Sequence, residues 1–438
     1  MHYPLIKKGM DPTFNRRDFI RLSAISTLGF AFLPFSGLQA APSDRVRIAI
    51  IGLGGMGLSH LNWFANLPEA EVVALCDVDS NRAKDALKKL NKIHPDNKAV
   101  TYTDFRHILD RPDIDAITIA TPDHWHAQIA ILAFQSGKDV YGEKPLSYSF
   151  KEGQMMLDAL EEQDRIFQLG TQIHAGDNYH RVAEIIQSGE LGKIKSVRLW
   201  KTGEPPIIKK LNFQTPPKSL NWDMWLGPAP YSEYAPEKCH VNYRYFMEYS
   251  GGVFQDFWCH IADVLYMSLE PNKLNRISAT GQRSPGMGDT AAWMNVDYEF
   301  KNLDVHWTST PPNIPGAEKR HIGACFEGTK GSLICDYNSM EIYFNGKILN
   351  DIPEVALSIP RSPGHQQNFI DSIKSRKQPE SNLEYVREMT MPMHLGLISF
   401  QLGRPLEWNH RKELFQKDDE ANGLLWRPYR DKWNLIGA

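Results

Sequence analysis

Two short groups of polar residues have the types and spacing needed for chemistry on a hydroxyl group. One is Glu143-Lys144-Pro145, and the other is Asp256-x-x-x-His260. A lysine can stabilise the negative charge that develops when a hydroxyl loses its proton. A carboxylate one helical turn before a histidine can orient the imidazole and raise its basicity, as a general base near neutral pH requires. These residue types and spacings make Lys144, Asp256 and His260 candidate catalytic residues.

Each of these residues also has an ordinary structural explanation. Lys144 can be a solvated loop lysine, Asp256 can complement a helix dipole, and His260 can be a partly buried structural histidine. The segment after the glycine pair at residues 251–252 reads as a helix. On this helix Asp263 continues the polar face, and Phe257 belongs to a second, core-directed face.

The elements that position these residues begin with an apolar segment, residues 46–51, that passes directly into Gly52-x-Gly54-x-x-Gly57. A helical pattern follows the third glycine. In such a unit the first glycine permits a tight turn, the second admits a pyrophosphate, and the third lets the helix pack on the strand. Phosphates would lie against free backbone N–H groups at the helix N-terminus. The unit predicts a dinucleotide-binding site.

A carboxylate follows this unit at the spacing expected for ribose recognition. A second strand-like segment, residues 71–76, ends at Asp77, twenty residues after Gly57. An acid at this point can accept hydrogen bonds from the adenosine ribose and repels a 2′-phosphate. We therefore expect NAD as the cofactor. Arg82 lies close enough in the sequence to keep NADP as the less favoured alternative.

Strand and helix patterns alternate as far as residue 170 and predict a doubly wound parallel sheet, in which ligands bind beyond the carboxyl ends of the strands. His124, His126 and Lys144 all follow predicted strands, so they share an edge with the glycine turn. This position favours a functional Lys144, whereas the two histidines either are structural or pack beside the nicotinamide. The residues expected to contact the cofactor are Gly52, Gly54, Met56, Gly57, Asp77, Arg82, Thr121, Pro122, His126, Glu143, Lys144 and Gln172.

The remainder of the chain has a different pattern. Several consecutive strand-like segments without intervening helices follow residue 190 and predict an α+β domain with a largely antiparallel sheet. A Pro- and Trp-rich insertion interrupts them at residues 203–249. The fold class is therefore α/β, with a nucleotide-binding domain over residues 46–170 and an α+β domain over residues 171–438.

Composition excludes several classes of protein. The chain has 438 residues and a net charge of −3, so it carries no basic footprint for nucleic acid. Its five cysteines form no C-x-x-C pair and no disulfide-scaffold spacing, although one disulfide stays open. His174 and His180, taken with His124 and His126, lack the spacing of metal ligands, so we expect no metal.

The N-terminus has the pattern of an export signal. Arg16-Arg17 precedes a mildly apolar stretch at residues 22–35 and small residues up to residue 41, which predicts a twin-arginine signal peptide over residues 1–40. The stretch is too short and too polar to span a bilayer. The alternative is a basic disordered tail on a cytoplasmic enzyme. We expect a periplasmic or exported protein without a stable membrane anchor, carried across the membrane already folded with its cofactor.

The glycine unit, Glu143-Lys144-Pro145 and Asp256-x-x-x-His260-x-x-Asp263 together resemble the Gfo/Idh/MocA oxidoreductase family over the whole mature chain. The resemblance places the family's catalytic positions on Lys144, Asp256 and His260. It also implies a Rossmann domain joined to an open-faced sheet domain, homo-oligomers formed through that sheet, and sugar or polyol substrates. The Gly170-Thr171-Gln172 and Trp222-Asp223 segments resemble a branch common among exported bacterial members.

Substrate contacts are expected near the same edge. The insertion offers aromatic residues on which the C–H faces of a sugar ring can stack, or which simply pack the insertion against the sheet. The expected substrate-binding residues are Lys144, His174, Tyr179, Trp222, Tyr243, Arg244, Asp256 and His260.

Three functional hypotheses follow. The first is an NAD-dependent dehydrogenase that transfers hydride from a ring hydroxyl carbon of a sugar, glycoside or polyol. The second is a redox-neutral glycoside hydrolase that oxidises, eliminates and re-reduces with retained NAD. The third is a non-catalytic periplasmic sugar-binding protein. The resemblance implies that Glu143-Lys144-Pro145 favours the dehydrogenase, since members related to the glycosidases often lack this motif.

Overall fold

The alternating segments near the N-terminus form a six-stranded parallel sheet in the computed structural model of this chain, which describes residues 45–437. Its strands, in the order β3-β2-β1-β4-β5-β6, are β1 (Val46–Ile51), β2 (Ala70–Cys76), β3 (Val100–Tyr102), β4 (Ala116–Ile119), β5 (Asp139–Gly142) and β6 (Phe167–Leu169). The connecting helices are α1 (Gly55–Ala65), α2 (Ser80–Ile93), α3 (Arg106–Leu109), α4 (His126–Gln135) and α5 (Phe150–Gln163). Every pairing in the sheet is parallel, which confirms the predicted doubly wound fold. The predicted signal peptide, residues 1–40, lies outside the described residues.

A ten-stranded mixed sheet follows. Its strands, in the order β14-β13-β12-β11-β7-β10-β9-β8-β15-β16, are β7 (Ile194–Lys201), β8 (Leu274–Arg283), β9 (Ala291–Phe300), β10 (Leu303–Thr308), β11 (Ile322–Gly328), β12 (Ser332–Cys335), β13 (Met340–Phe344), β14 (Lys347–Ile348), β15 (Leu406–Asn409) and β16 (Leu414–Phe415). The helices of this part are α6 (Asp177–Ser188), α7 (Trp222–Leu226), α8 (Gly252–Leu269), α9 (His365–Ser375), α10 (Leu383–Leu402) and α11 (Asp419–Gly423). Strands β7 and β10 pair in parallel and the remaining pairs are antiparallel, so the prediction of a largely antiparallel sheet is confirmed.

One face of the mixed sheet is covered and the other is open. Along β9 the side chains alternate, with Val296 and Tyr298 buried and Asp297 and Glu299 exposed. This alternation is what a strand with one solvated face requires. The covered face packs against α8 and α10, and the Tyr298 hydroxyl donates to the backbone oxygen of Pro392 in α10 at 2.9 Å. Helix α8 is thereby held between the sheet and the rest of the core.

The insertion at residues 203–249 forms an aromatic cluster of its own, in which the rings of Trp222 and Trp225 stack 4.6 Å apart. Its backbone also joins the edge of the parallel sheet, because Ser80 N donates to Ser219 O at 2.9 Å and Asn221 N donates to Val78 O at 3.0 Å. The insertion is therefore attached directly beside Asp77, at the carboxyl end of β2.

Some elements differ from those expected. Strands β13 to β16 were not predicted, because they are two to five residues long and lie at the two ends of the sheet. Phe257 packs against the core as expected, but its ring is only partly buried and also lies beside two lysines.

Within residues 45–437 no helix has both the length and the apolar character needed to cross a membrane. The same residues contain no cluster of His, Cys, Asp and Glu able to hold a metal ion. All five cysteine thiols are free, so the disulfide left open above is not formed.

Two neighbouring glycines give a direct test of this fold. A Cβ at residue 57 would overlap the backbone oxygen of Gly52, whereas a Cβ at residue 55 meets no atom within 4 Å. We expect Gly57→Ala to lower the free energy of unfolding by about 3 kcal/mol, because backbone atoms must move to admit the methyl group. Thermal or denaturant unfolding of the nucleotide-free protein measures this effect.

The matched control is Gly55→Ala, which lies in the same helical turn. Alanine is the better helix former by about 1 kcal/mol, so this variant should unfold at or above the temperature of the unmodified protein. Equal destabilisation by the two substitutions would contradict the geometry described for this turn.

Candidate active site

A cavity of about 380 Å³ lies beyond the carboxyl edge of the parallel sheet. The turn between β1 and α1, the ends of β2, β4 and β5, and the insertion all contribute to it. Of the residues expected to bind cofactor or substrate, those that line the cavity are Gly52, Gly54, Met56, Asp77, Arg82, Thr121, Pro122, Glu143, Lys144, Tyr243 and Arg244. The cavity therefore lies where open α/β sheets bind ligands.

The glycine turn has the shape of a phosphate cradle. Gly52 has a φ of +85°, and a Cβ there would lie 2.6 Å from the backbone of Ala120. Gly57 does not line the cavity; it lets α1 pack against the turn, where any side chain would overlap Gly52. The first N–H groups of α1 have no intrahelical acceptor, as at every helix N-terminus, and Gly55 and Met56 bring them to the cavity wall.

Asp77 is placed to receive a ribose. Its Oδ2 accepts from the Leu53 N–H at 2.7 Å and its Oδ1 accepts from the Asp79 N–H at 2.8 Å. These bonds fix the carboxylate, which lines the cavity, and leave each oxygen able to accept a further hydrogen bond. Burial raises the pKa of Asp77, against the opposing effect of the two backbone bonds and of Arg82. The buried carboxylate and the glycine cradle fit NAD.

Beneath Lys144 lies a buried carboxylate, Glu143. Its Oε1 lies 3.0 Å from His60 Nε2 and accepts from Gln172 Nε2 at 3.0 Å. A Cβ at Gly170 would lie 2.6 Å from this oxygen, so only glycine fits there. Burial opposes the charge of Glu143, but His60 and Lys144 outweigh it and its pKa is lowered. Gln172, expected at the cofactor, thus holds Glu143 and does not line the cavity.

Lys144 forms the central contact of the site. Its Nζ donates to Asp256 Oδ1 at 2.6 Å and to the Asp256 backbone oxygen at 3.1 Å. Arg244 Nε lies 3.4 Å from the same carboxylate oxygen. The side chains of Lys144 and Asp256 are only 11% and 18% exposed, so solvent screens their attraction little. One ion pair therefore joins the end of β5 to α8.

The ion pair sets the charge states of its members. Burial opposes the charge of Lys144, yet Asp256 outweighs it, and the pKa of the ammonium is raised. Burial likewise opposes ionisation of Asp256, but Lys144 and Arg244 together lower its pKa to about 2. Both groups are therefore charged throughout the neutral range.

His260 lies one turn beyond Asp256 on α8, but its basicity is not raised as expected. Burial, followed by the charge of Lys144, lowers the pKa of the imidazole to about 4, and Asp256 opposes this shift without reversing it. Within residues 45–437 the ring makes no hydrogen bond, and the Asp256 carboxylate is taken up by Lys144 and Arg244. The ring lies between those of Phe257 and Tyr337, with centroids 5.8 and 6.0 Å away. His260 is thus a neutral imidazole at pH 7.

Two residues expected to bind substrate lie behind this face of α8. His174 Nδ1 lies 2.9 Å from the fully buried Asp263 Oδ1, and the Tyr385 hydroxyl donates to the same oxygen at 2.8 Å. Burial opposes the charge of His174, but Asp263 outweighs it and raises the pKa. The Tyr179 hydroxyl donates to the backbone oxygen of His260 at 3.1 Å. These contacts hold α8 in position and leave neither His174 nor Tyr179 on the cavity wall.

The insertion supplies the outer wall of the cavity. Trp225, Tyr243 and Arg244 line it, and the Arg244 guanidinium lies 4.7 Å from the centroid of the Tyr243 ring. Trp222 stacks behind Trp225 and does not reach the cavity. The expected aromatic wall is therefore formed by Trp225 and Tyr243.

Asp123, which was not among the residues predicted for the site, anchors this wall. The fully buried carboxylate accepts from the Tyr243 hydroxyl at 3.1 Å and from the Ser250 hydroxyl at 2.6 Å. Burial raises its pKa. The signal was available, since Asp123 directly precedes His124 at the end of β4. Both histidines of that loop have backbone partners, His124 at Trp225 O and His126 at Pro145 O and Thr121 O.

Known proteins match both parts of the chain. The family model described as oxidoreductase family, NAD-binding Rossmann fold, matches residues 46–171, and that described as oxidoreductase family, C-terminal alpha/beta domain, matches residues 198–435. A glycosyl hydrolase family 109 protein of Shewanella baltica is 30% identical over 181 residues, which are 41% of this chain and 38% of the relative's length.

Solved structures share the fold. The WlbA dehydrogenase from Bordetella pertussis, in complex with NADH and UDP-GlcNAcA, superposes with a TM-score of 0.63 at 17% identity over 84% of this chain and 99% of its own. A levoglucosan dehydrogenase in complex with NADH and L-sorbose has a TM-score of 0.59 at 19% identity, over 83% of this chain and 99% of its own. From its two matched domains, this chain belongs to the Gfo/Idh/MocA family of NAD-binding oxidoreductases.

Proposed function

We propose that this protein oxidises a ring CH–OH group of a sugar, glycoside or polyol with NAD as the hydride acceptor. One observation carries the proposal: a charged, buried lysine lies at the edge of the cofactor cavity, paired with Asp256, and the neutral imidazole of His260 lies one helical turn further along. Dehydrogenases bound to NADH and a sugar or sugar nucleotide among the structural neighbours support the same chemistry.

Different residues of this chain would bind the cofactor and act on the substrate. Gly52, Gly54 and the N-terminus of α1 would hold the pyrophosphate, and Asp77 would hold the adenosine ribose. Bound NAD supplies the acceptor for the hydride that leaves the substrate carbon. Lys144 donates a hydrogen bond to the substrate oxygen and stabilises its negative charge as the proton departs. His260 Nε2 or Nδ1 takes that proton, and the C–O bond becomes a carbonyl as the hydride leaves.

Asp256 and Arg244 act on Lys144 rather than on the substrate proton. The Asp256 carboxylate keeps the ammonium charged, and Lys144 Nζ is held in direction by donating one hydrogen bond to Asp256 Oδ1 and one to the Asp256 backbone oxygen. With Arg244 beside the same carboxylate, the three groups carry a net charge of +1, which favours a developing alkoxide nearby.

We also propose that the chain is exported by the twin-arginine route with its cofactor already bound. The motif at residues 16–17 and the small residues before residue 41 support this proposal. Determining the N-terminal sequence of the protein recovered from the periplasm tests export. Finding the protein only in cytoplasmic extracts, with residue 1 still present, would contradict the proposal.

Substitution of Lys144 tests its proposed role. Lys144→Met should lower kcat for sugar oxidation about 100-fold or more, because the developing alkoxide loses its charged donor. The control is Lys151→Met, which removes an exposed lysine on α5. NAD binding and the unfolding temperature of each variant show whether the protein is folded. Retention of most activity by a folded, NAD-bound Lys144→Met protein would contradict the assignment.

The pH dependence of the activity tests the role of His260. A general base must be neutral to act, and the pKa of His260 is lowered to about 4, so protonation abolishes activity only well below the ordinary histidine range. We expect kcat/KM for oxidation to stay level from pH 7 to about pH 5.5 and to fall below that. His260→Gln should remove this acidic limb along with most of the activity. The exposed His107→Gln should leave the profile unchanged, and a fall centred on the ordinary histidine pKa would refute the lowered value.

The second candidate function is the redox-neutral glycoside hydrolase, which the similarity to a glycosyl hydrolase family 109 protein favours. Such an enzyme starts with the same oxidation and ends by reducing the sugar again, so a chromogenic aryl glycoside would be cleaved with no net NADH. For the dehydrogenase we expect the reverse, namely NADH in proportion to oxidised sugar and no released aryl group. Measuring aryl release and NADH in one reaction separates the two functions.

A further inference from the structure

A second lysine, Lys201, lies against the ring of Phe257, near Lys144 and His260. Lys201 is the last residue of β7. Because side chains alternate along a strand, it is on the same side of β7 as Val197 and Leu199, which pack into the covered core beneath α8. A lysine at such a position would be unfavourable in the middle of the strand. At the end of the strand its chain reaches toward the exposed edge of α8, where it is only partly buried.

The ring of Phe257 relates this lysine to the catalytic groups. Lys201 Nζ lies 4.8 Å from the ring centroid, Lys144 Nζ lies 5.9 Å from it, and the His260 ring centroid lies 5.8 Å from it. The distance between Lys144 Nζ and Lys201 Nζ therefore cannot exceed the sum of the distances from these two atoms to the Phe257 ring centroid. One pyranose ring with a substituent can bridge that separation.

Lys201 differs from the other cations of the site in its partners. Lys144 and Arg244 both contact the carboxylate of Asp256. Lys201 donates to the backbone oxygen of Thr202, and among residues 45–437 no carboxylate lies within 4 Å of its ammonium. A partly buried lysine beside an aromatic ring, with an ammonium that still has donors free, is suited to an anionic ligand group.

The geometry points to a sugar carboxylate as the ligand of Lys201, so we infer that the substrates are uronic acids or glycuronides rather than neutral sugars. In this arrangement the ring hydroxyl to be oxidised contacts Lys144 and His260, the sugar ring lies along Phe257, and the carboxylate on the far side of the ring accepts from Lys201. The inference rests on the proposed function, since it names the substrate class of the same site.

The test compares matched pairs of sugars that differ only at C6, which is a neutral hydroxymethyl group in one member and a carboxylate in the other. Methyl glucoside and methyl glucuronide, with the galacto pair, are offered to the NAD-loaded full-length protein, and reduced nicotinamide is measured. We expect kcat/KM to be about 10- to 100-fold higher for the glucuronide or galacturonide, the effect of one charge-assisted hydrogen bond. Lys201→Met should abolish this preference by raising KM for the acidic sugar, with kcat and the values for the neutral sugar nearly unchanged.

Lys195→Met is the matched control, because it removes an exposed lysine from the same strand. An equal or higher kcat/KM for the neutral sugars, or a parallel loss for both members of a pair in Lys201→Met, would overturn the inference. If no sugar reduces NAD, the proposed oxidation fails instead. Calorimetry with the same pairs of sugars then measures the preference for the acidic member independently of oxidation. Equal affinity for acidic and neutral sugars would overturn the inference.

Discussion

The ion pair between Lys144 and Asp256 is the contact on which the rest of the site depends. It joins a loop of the parallel sheet to a helix that packs on the mixed sheet, and both partners are largely buried. A buried pair of this kind adds little net stability, but loss of one partner leaves an uncompensated charge. The pair therefore fixes the relative position of cofactor cavity and helix, and it keeps the lysine protonated. The lowered pKa of His260 comes first from burial and second from the nearby Lys144 ammonium, which disfavours another positive charge.

Several buried contacts act only through this pair. Glu143 and Gln172 support the loop from below, and Asp263 holds the far end of the helix through His174 and Tyr385. Glu143, Asp263 and His174 are polar and buried, so each must have a partner, and the partners lie on different elements. The result is a rigid setting for the lysine and the histidine, as a site that acts by positioning and electrostatics requires.

Much of this could be predicted from local sequence patterns. The strand–turn–helix at Gly52, the acid at the end of β2 and the polar face of α8 depend on spacing within one element, which the sequence displays directly. Partners across elements could not be predicted in this way. Asp256 was expected to orient His260, but it binds a lysine 112 residues away. The positions of His174 and Asp123 likewise depend on tertiary contacts, which the spacing of residues within one element does not predict. Phe257 has the spacing of a core residue, yet its ring lies beside two ammonium groups.

The most direct measurement is the absorbance of reduced nicotinamide after rapid mixing of the NAD-loaded protein with a panel of neutral and acidic pyranosides. Both enzymatic functions begin by oxidising the sugar, so the account predicts a rise with at least one pyranoside, lasting for a dehydrogenase and transient for a glycosidase. A protein shown to hold stoichiometric NAD that gives no reduced nicotinamide with any pyranoside, on any timescale, would contradict the assignment of this site to sugar oxidation.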